Sequence, residues 1–370
     1  MKRVVIIGGG LAGLTCSLQL GRARIPCTVI EKKEYPFHRV CGEYISNEVV
    51  PFLKASGFYP AEFNPPQIKN FLLSAVSGRH EKMKLDLGGF GISRYAFDNF
   101  LFDKAKQEGA DFLLNEEVET VTFADNKFKI DTSRTEIEAD IVIGAFGKRS
   151  KMDRFLSRQF LNVKSPYVGV KYHIRSEHPD DLIALHNFPG GYCGISNIEE
   201  NKTTLCYLTH RDVLKRFKNI DAMEQSVLFK NPFLRDIFTN SEFLFQKPEV
   251  INEVSFLTKS PIEGHILMAG DSAGMIAPLC GNGMAMAIHS GKILSDLIIE
   301  YVNAPGRSRD WLEKSYVNAW NTHFKRRLWI GRQVQRLFGS ATASQLAVGL
   351  AINSRSLANL IIKNTHGEPF

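Results

Sequence analysis

Two glycine-rich segments some 260 residues apart carry the residues best suited to chemistry. The first, Gly8-Gly9-Gly10-Leu11-Ala12-Gly13, has the spacing of a phosphate-binding turn between a strand and a helix. Gly8 permits the tight turn, Gly10 lets the backbone approach a pyrophosphate, and Gly13 allows the helix to pack closely on the strand. The helix that opens at Leu11-Ala12 would present free N–H groups and its positive dipole end to the phosphates. Glu31, 18 residues past Gly13, stands with Lys32 where an adenosine ribose hydroxyl would be bound, and a carboxylate there repels a 2′-phosphate.

The second segment runs from Gly270 to Met284, GDSAGMIAPLCGNGM. Asp271 can accept hydrogen bonds from ribityl or ribose hydroxyls, and Gly270 and Gly274 allow close backbone approach. Gly281-Asn282-Gly283 opens a helix, Met284 to Tyr301, whose N-terminal dipole suits negative charge on the N1–C2=O edge of a reduced flavin. A nicotinamide dehydrogenase has no need of such a distant second segment. An extended FAD does, because its adenine half and its ring system must be gripped at separate places.

The elements that must position these residues follow from the pattern. Lys2 to Ile7 is a β-branched run fit for a doubly buried strand, Leu11 to Arg22 a helix, and Cys27 to Ile30 a second strand ending at Glu31. The chain is then irregular from Tyr35 to Pro66, where five prolines fall. Strands with turns are expected over 67–93, a helix from Tyr95 to Glu108, and short strands at 112–114, 117–123, 127–132 and, as one run, 137–144. Residues 166–209 alternate as an antiparallel sheet would. A helical stretch over 211–239, strands over 250–257 and 265–269, and helices past 301 complete the reading. Tyr316, Trp320, Phe324, Leu328, Gly331, Val334 and Phe338 have helical spacing, and Leu346 to Ile362 suggests a further helix. The fold class is α/β: a Rossmann-like FAD-binding domain from 1–66, 94–162 and 250–300, a mainly antiparallel β substrate domain from 67–93 and 163–249, and a C-terminal helical segment over 301–370.

Composition excludes whole classes. With 44% apolar and 23% charged residues, the chain is neither disordered nor fibrous, and no apolar run approaches a membrane span. The basic start with its apolar run is too short and too glycine-bounded for a signal peptide, so the expected location is cytoplasmic. Six scattered cysteines without CxxC spacing read as reduced thiols. Ten Lys/Arg against three Asp/Glu fall in 305–370, which leaves the remainder of a +7 chain neutral. That basic C-terminal segment suits either a solvated helix face or peripheral contact with anionic lipid. The ten histidines form no HxxH or Cys/His cluster, so no metal is expected. Phe324 to Trp329 interleaves basic and aromatic residues, but no RNA-binding motif accompanies it and no nucleic acid is expected.

The sequence resembles the FAD-dependent oxidoreductases of the para-hydroxybenzoate hydroxylase fold, and within them the geranylgeranyl reductase-like branch. The resemblance covers most of residues 1–300. It rests on GGGLAG with Glu31, on Arg39-Val40-Cys41-Gly42-Glu43, on GISRYAFDNFL with Arg94 and Asp98, on Ala139 to Gly147, and on GDSAGMIAPLCGNGM. It implies that Arg39 and Arg94 lie at the cofactor, that Val118 lies near adenine through its backbone, and that the Cys41-Gly42 loop lies near the flavin. The branch's YxWxFP-like stretch corresponds to Phe188 to Ser196, which departs from that pattern.

Three kinds of chemistry stay open on these residues. The branch reduces isolated alkenes in lipids, and a thiol at Cys41 beside the flavin could assist protonation; this reading is preferred, with a hydrophobic small molecule as substrate. Monooxygenation of an aromatic or polyketide-type substrate is the alternative. Both need reducing equivalents from NAD(P)H bound transiently or from another donor. A flavin-binding redox sensor or partner-binding protein is the non-enzymatic class. Flavin-dependent halogenases carry a WxWxIP segment, whereas the three tryptophans here, Trp311, Trp320 and Trp329, all lie near the C-terminus.

Overall fold

The computed structural model describes residues 2–252, 254–337, 345, 348–351, 353–354 and 361–370. Val4–Ile7, Cys27–Glu31, Ile141–Gly144 and Asp111–Leu114 pair in parallel, in the order 141–144, 4–7, 27–31, 111–114; Ile266–Met268 extends the sheet beside 141–144, and Ile262–Glu263 closes it antiparallel. Every residue of Val4–Ile7 and Ile141–Gly144 is buried, as strands covered on both faces must be. Helices Leu11–Arg22, Arg94–Gln107 and Gly283–Asn303 pack against one another beside it. A three-stranded antiparallel sheet, Val118–Ala124, Lys127–Thr132 and Glu136–Ala139, touches strand 141–144.

The expected single strand over 137–144 is two strands in different sheets. They part at Asp140, whose carboxylate accepts from Arg3 N at 2.8 Å and Lys127 Nζ at 2.7 Å and thereby pins the crossing point. The expected helical stretch over 211–239 is also divided. Asn219 and Asn231 cap new starts by accepting from Ala222 N and Phe233 N, and Pro232 cannot continue a preceding turn. The helix expected from Tyr95 begins one residue earlier, at Arg94, because Ser93 Oγ accepts from Ala96 N at 3.0 Å.

A nine-stranded mixed sheet forms the second body. Its strands include Gln67–Ser74, His80–Gly91, Tyr167–Arg175, Leu182–Phe188, Gly191–Ile198 and Lys202–His210, with Tyr44–Ser46 at one edge. The strand expected over 250–257 spans Glu249–Asn252 and joins this sheet beside Tyr167–Arg175. Side-chain alternation gives the sheet two unlike faces. Val170, Tyr172, Ile174, Leu205 and Tyr207 point into a core closed by the helices of 220–240, whereas Lys171 and its cross-strand partner Cys206 point the other way.

That core contains one acid. Glu224 Oε1 accepts from Tyr207 Oη at 2.7 Å and Tyr172 Oη at 3.0 Å, yet burial pushes its carboxyl up to about 7 from 4.5. The folded chain therefore keeps a proton that the unfolded chain releases. The stability this confers is complete below about pH 4.5 and is lost as pH rises through 7. Glu224→Gln retains the oxygen that both tyrosines use, so it is expected to raise Tm at pH 8 and leave it unchanged at pH 4. The full effect is about 3 kcal/mol. Equal Tm shifts at the two pH values would contradict this.

Past the long helix, Arg309–Trp320, a π-turn over 321–325 and Arg326–Leu337 run on as the helical spacing predicts, with Tyr316, Trp320, Phe324 and Leu328 buried. Phe338 lies outside the described residues. Of the further helix over 346–362, residues 346–347, 352 and 355–360 lie outside them too, and the described parts 348–351 and 361–362 are helical. Among the described residues no helix is long and apolar enough to cross a membrane.

Candidate functional site

At the first glycine turn each residue type has a geometric reason. Gly8 has φ +105°, and a Cβ there would stand 2.5 Å from Ala145 O. A Cβ at Gly13 would stand 2.1 Å from Gly8 O, so this glycine lets the helix approach the turn. Gly10 differs: the nearest atom to a Cβ there is Arg94 Nη2, at 3.6 Å. Gly10 also precedes helix Leu11–Arg22 with no side chain capping it, which leaves first-turn N–H groups facing open space.

A network of charges stands over this turn. Glu31 Oε2 accepts from Gly9 N at 2.9 Å and Oε1 from Lys33 N at 3.1 Å. Arg39 joins Glu31 at 3.2 Å to Asp98 at 3.2 Å, and Arg94 grips Asp98 with two bonds of 2.6 Å. Tyr35 Oη donates to Gly9 O at 2.5 Å. The Arg94–Asp98 pair expected from i,i+4 spacing on a helix thus forms and holds the Arg94 guanidinium beside Gly10.

At the other end the loop Arg39 to Glu43 is held from beneath by the nine-stranded sheet. Lys171 Nζ donates to Arg39 O at 3.2 Å and to Glu43 Oε1 at 2.5 Å, and Lys148 Nζ donates to Val40 O at 3.0 Å. Glu43 Oε2 pairs with His173 Nε2 at 2.6 Å, while Arg94 N donates to Glu43 Oε1 at 2.8 Å. Burial alone would raise the Glu43 carboxyl; Lys171 and His173 override it and hold it near 2. His38 stacks on Tyr95 and meets His173 edge-on. Burial, with Lys171 and His173 adding, lowers its imidazole to about 4, so it is neutral at ordinary pH. Above this support Cys41 is half-buried, and a Cβ at Gly42 would meet nothing within 4 Å.

The second segment is fixed as closely. Gly270 and Gly281 take φ +60° and +64°, and Gly270 N donates to Ser290 Oγ at 2.9 Å. Lys259 Nζ donates to two carbonyls, of Asp271 at 2.8 Å and Lys148 at 2.9 Å, and ties the segment to the Lys148 turn. Burial lowers its ammonium to about 8.

These parts line one cavity of about 630 Å³. Gly8, Gly10, Leu11, Ala12, Glu31, Lys32, Arg39, Cys41, Gly42, Arg94, Val118, Asp271, Gly281, Gly283 and Met284 all face it. Gly13 does not; its place is behind the turn. Beyond the Cys41-Gly42 loop the cavity continues between the sheet and the 275–279 loop, against Phe71, Ile183, Leu185, Leu208, Val254 and Met275. Tyr192 Oη, which faces the same space, donates to Gln335 Oε1 at 3.1 Å and accepts from Leu279 N at 3.1 Å.

The FAD binding domain family matches residues 1–326. The chain belongs to this family. Digeranylgeranylglycerophospholipid reductase 1 of Methanopyrus kandleri is 24% identical over 358 residues, covering 90% of each chain. A tryptophan 2-halogenase of Chondromyces crocatus is 21% identical over 310 residues, 78% of this chain and 59% of its own. Among solved structures, a geranylgeranyl bacteriochlorophyll reductase-like protein of Thermoplasma acidophilum matches with a TM-score of 0.79 at 18% identity, covering 100% of this chain and 96% of its own. The fold is that of the para-hydroxybenzoate hydroxylase type, and the protein is an FAD-dependent oxidoreductase.

The donor set suits FAD. A cradle at Gly10 that a Cβ would fill, an uncapped helix start and a cavity reaching from Glu31 to Gly281 match an extended dinucleotide. Sequence reasoning missed the groups that hold the ring-end loop: Lys148, Lys171, His173 and Lys259. Lys148, Lys171 and His173 find partners 108, 128 and 130 residues away, and Lys259 joins a carbonyl 111 residues away to one 12 residues away, so no short-range motif announces them. A weak signal existed in Lys171 and His173, two basic residues on one face of a strand whose other face is apolar.

Proposed function

We propose that this FAD-dependent oxidoreductase saturates a carbon–carbon double bond in a hydrophobic, lipid-like small molecule. Gly8, Gly10, Leu11 and Ala12 hold the pyrophosphate, Glu31 and Lys32 the adenosine ribose, Val118 the adenine, Asp271 the ribityl chain, and Cys41-Gly42 with Gly281 to Met284 the ring. Arg39 and Arg94 balance the carboxylates around the phosphates. When bound, FAD in its reduced form would be the source of the hydride, two electrons, that one alkene carbon takes up. The Cys41 thiol gives a proton to the other carbon and is reprotonated from water. The observation that carries this reading is the apolar continuation of the cavity past Cys41, where the Tyr192 hydroxyl is already bonded to protein. Four relatives named digeranylgeranylglycerophospholipid reductase, at 23% to 24% identity, support it.

The test is anaerobic mixing of photoreduced protein with a polyprenyl lipid. Reoxidation of the flavin with formation of the saturated product is the expected result. Inertness to alkenes, with oxygen-dependent hydroxylation of an aromatic substrate, would replace this reading by monooxygenation. NAD(P)H or an external donor supplies the electrons in turnover.

The substrate class gives the basic C-terminal helix a role. Lys325, Arg326, Trp329, Arg332 and Arg336 share one face of the π-turn and the helix that follows, and Trp329 is 57% exposed. Among the described residues no carboxylate pairs with Lys325, Arg332 or Arg336. The opposite face packs Leu328 against Gly274 and bonds Gln335 to Tyr192, at the cavity wall. A basic face with a central tryptophan fits an anionic lipid surface. Replacing Arg332 and Arg336 by glutamine is expected to weaken co-sedimentation with phosphatidylserine vesicles about thirty-fold, from ~1 kcal/mol per arginine. Unchanged sedimentation would remove the membrane from this reading.

A further inference from the structure

Glu48 sits in a 3-10 turn, Asn47–Val49, with its side chain fully buried. Its Oε2 accepts from Asn282 Nδ2 at 3.2 Å and from Gly367 N at 2.5 Å, and its Oε1 from Arg327 Nη1 at 3.1 Å. Its backbone oxygen accepts from Phe370 N at 3.1 Å. Asn282 Nδ2 donates also to Thr365 O at 3.1 Å. Phe370 in turn stacks on His289 of the long helix, with centroids 3.8 Å apart and planes 12° from parallel.

Four stretches distant in sequence therefore converge on one carboxylate: the turn at 47–49, the Gly281-Asn282-Gly283 loop, the basic helix through Arg327, and residues 365–370. Glu48 and Arg327 form a buried pair, and removing one partner leaves the other charge uncompensated. Asn282 is fully buried between two glycines that have no side chains, and its amide nitrogen ties the loop to Glu48 and to Thr365 O. Gly281 and Gly283, on either side, face the cavity.

We propose that Glu48 is a positioning residue for the ring end of the FAD site. Through Asn282 it sets the shape of the 281–283 loop, residues 365–370 act as the strap that holds it there, and its pairing with Arg327 keeps the charge behind the loop neutral. The proposal rests on the reading that this loop faces the flavin ring.

Neutralising each partner in turn separates this role from mere packing. Glu48→Gln leaves Arg327 unbalanced, favours the negatively charged reduced ring and moves the flavin midpoint potential upward; Arg327→Met leaves Glu48 unbalanced and moves it downward. Phe370→Ala keeps both charges but loosens the strap, so it weakens FAD binding about ten-fold, the factor that corresponds to ~1.4 kcal/mol. Measurements are made on the holoenzyme, with the Tm of each variant as a check on folding. Gly281→Ala, a change within the loop itself, is the reference. If it alters FAD binding while Glu48→Gln and Arg327→Met leave the potential in place or move it the same way, the role of Glu48 is refuted. If Gly281→Ala also leaves binding and potential untouched, the loop does not face the ring and the site reading fails with it.

Discussion

Gly10→Val is expected to yield a folded protein that purifies colourless, with affinity for FAD lowered about a hundred-fold. The backbone at Gly10 is extended, φ −87° and ψ −177°, which valine adopts without strain, and a Cβ there meets only Arg94 Nη2, at an ordinary contact distance of 3.6 Å. The folded chain therefore tolerates the substitution. A ligand does not, because the isopropyl group occupies the space over the first-turn N–H groups where the phosphates lie. Forcing extra methyl groups into a filled contact costs up to ~3 kcal/mol, or about two orders of magnitude in affinity. Gly13→Val gives the opposite result: its Cβ strikes the Gly8 carbonyl at 2.1 Å, backbone against backbone, and the expected loss is of folding itself. Titration of FAD into each apo variant, with Tm alongside, checks both. Wild-type FAD affinity in Gly10→Val would place the phosphates elsewhere.

That contrast also shows what local sequence carries. Spacing alone distinguishes the three glycines because each answers a short-range constraint: a turn, an approach, a helix-on-strand contact. The first strand, helix Leu11–Arg22 and the strand to Glu31 were legible for the same reason. The break at Asp140 was not, since the residues on either side read as one apolar run and only the Arg3 and Lys127 contacts decide which sheet each half joins. Alternating exposure in Glu136–Ala139 against continuous burial in Ile141–Gly144 is the imprint of that division. The support under Cys41 is less legible still. Glu43 stood in a recognisable run, but nothing near it in sequence says that a lysine and a histidine from a strand 128 and 130 residues later will neutralise it. Glu48 is the extreme case, with partners 234, 279 and 319 residues away.

Cys41→Ala is expected to retain FAD yet lower kcat for alkene reduction about a hundred-fold, the smaller end of the range for loss of a general acid. The loop that carries Cys41 is held by backbone carbonyls, Arg39 O on Lys171 and Val40 O on Lys148, so truncating the thiol leaves its framework intact. KM should change little, because an alkene gains no binding from a thiol, and the loss belongs to the proton-transfer step. Cys206 supplies the control. It faces the same cavity from the strand beneath, but burial, with the Cys41 sulfur adding, pushes its thiol up to about 12, so it holds its proton tightly. Cys206→Ala should therefore cost far less than Cys41→Ala in the same assay. Equal effects from the two substitutions would mean that the thiols only fill space beside the ring. An intact kcat in Cys41→Ala would move the proton donor to water and leave the apolar cavity, not the cysteine, as the feature that selects an alkene.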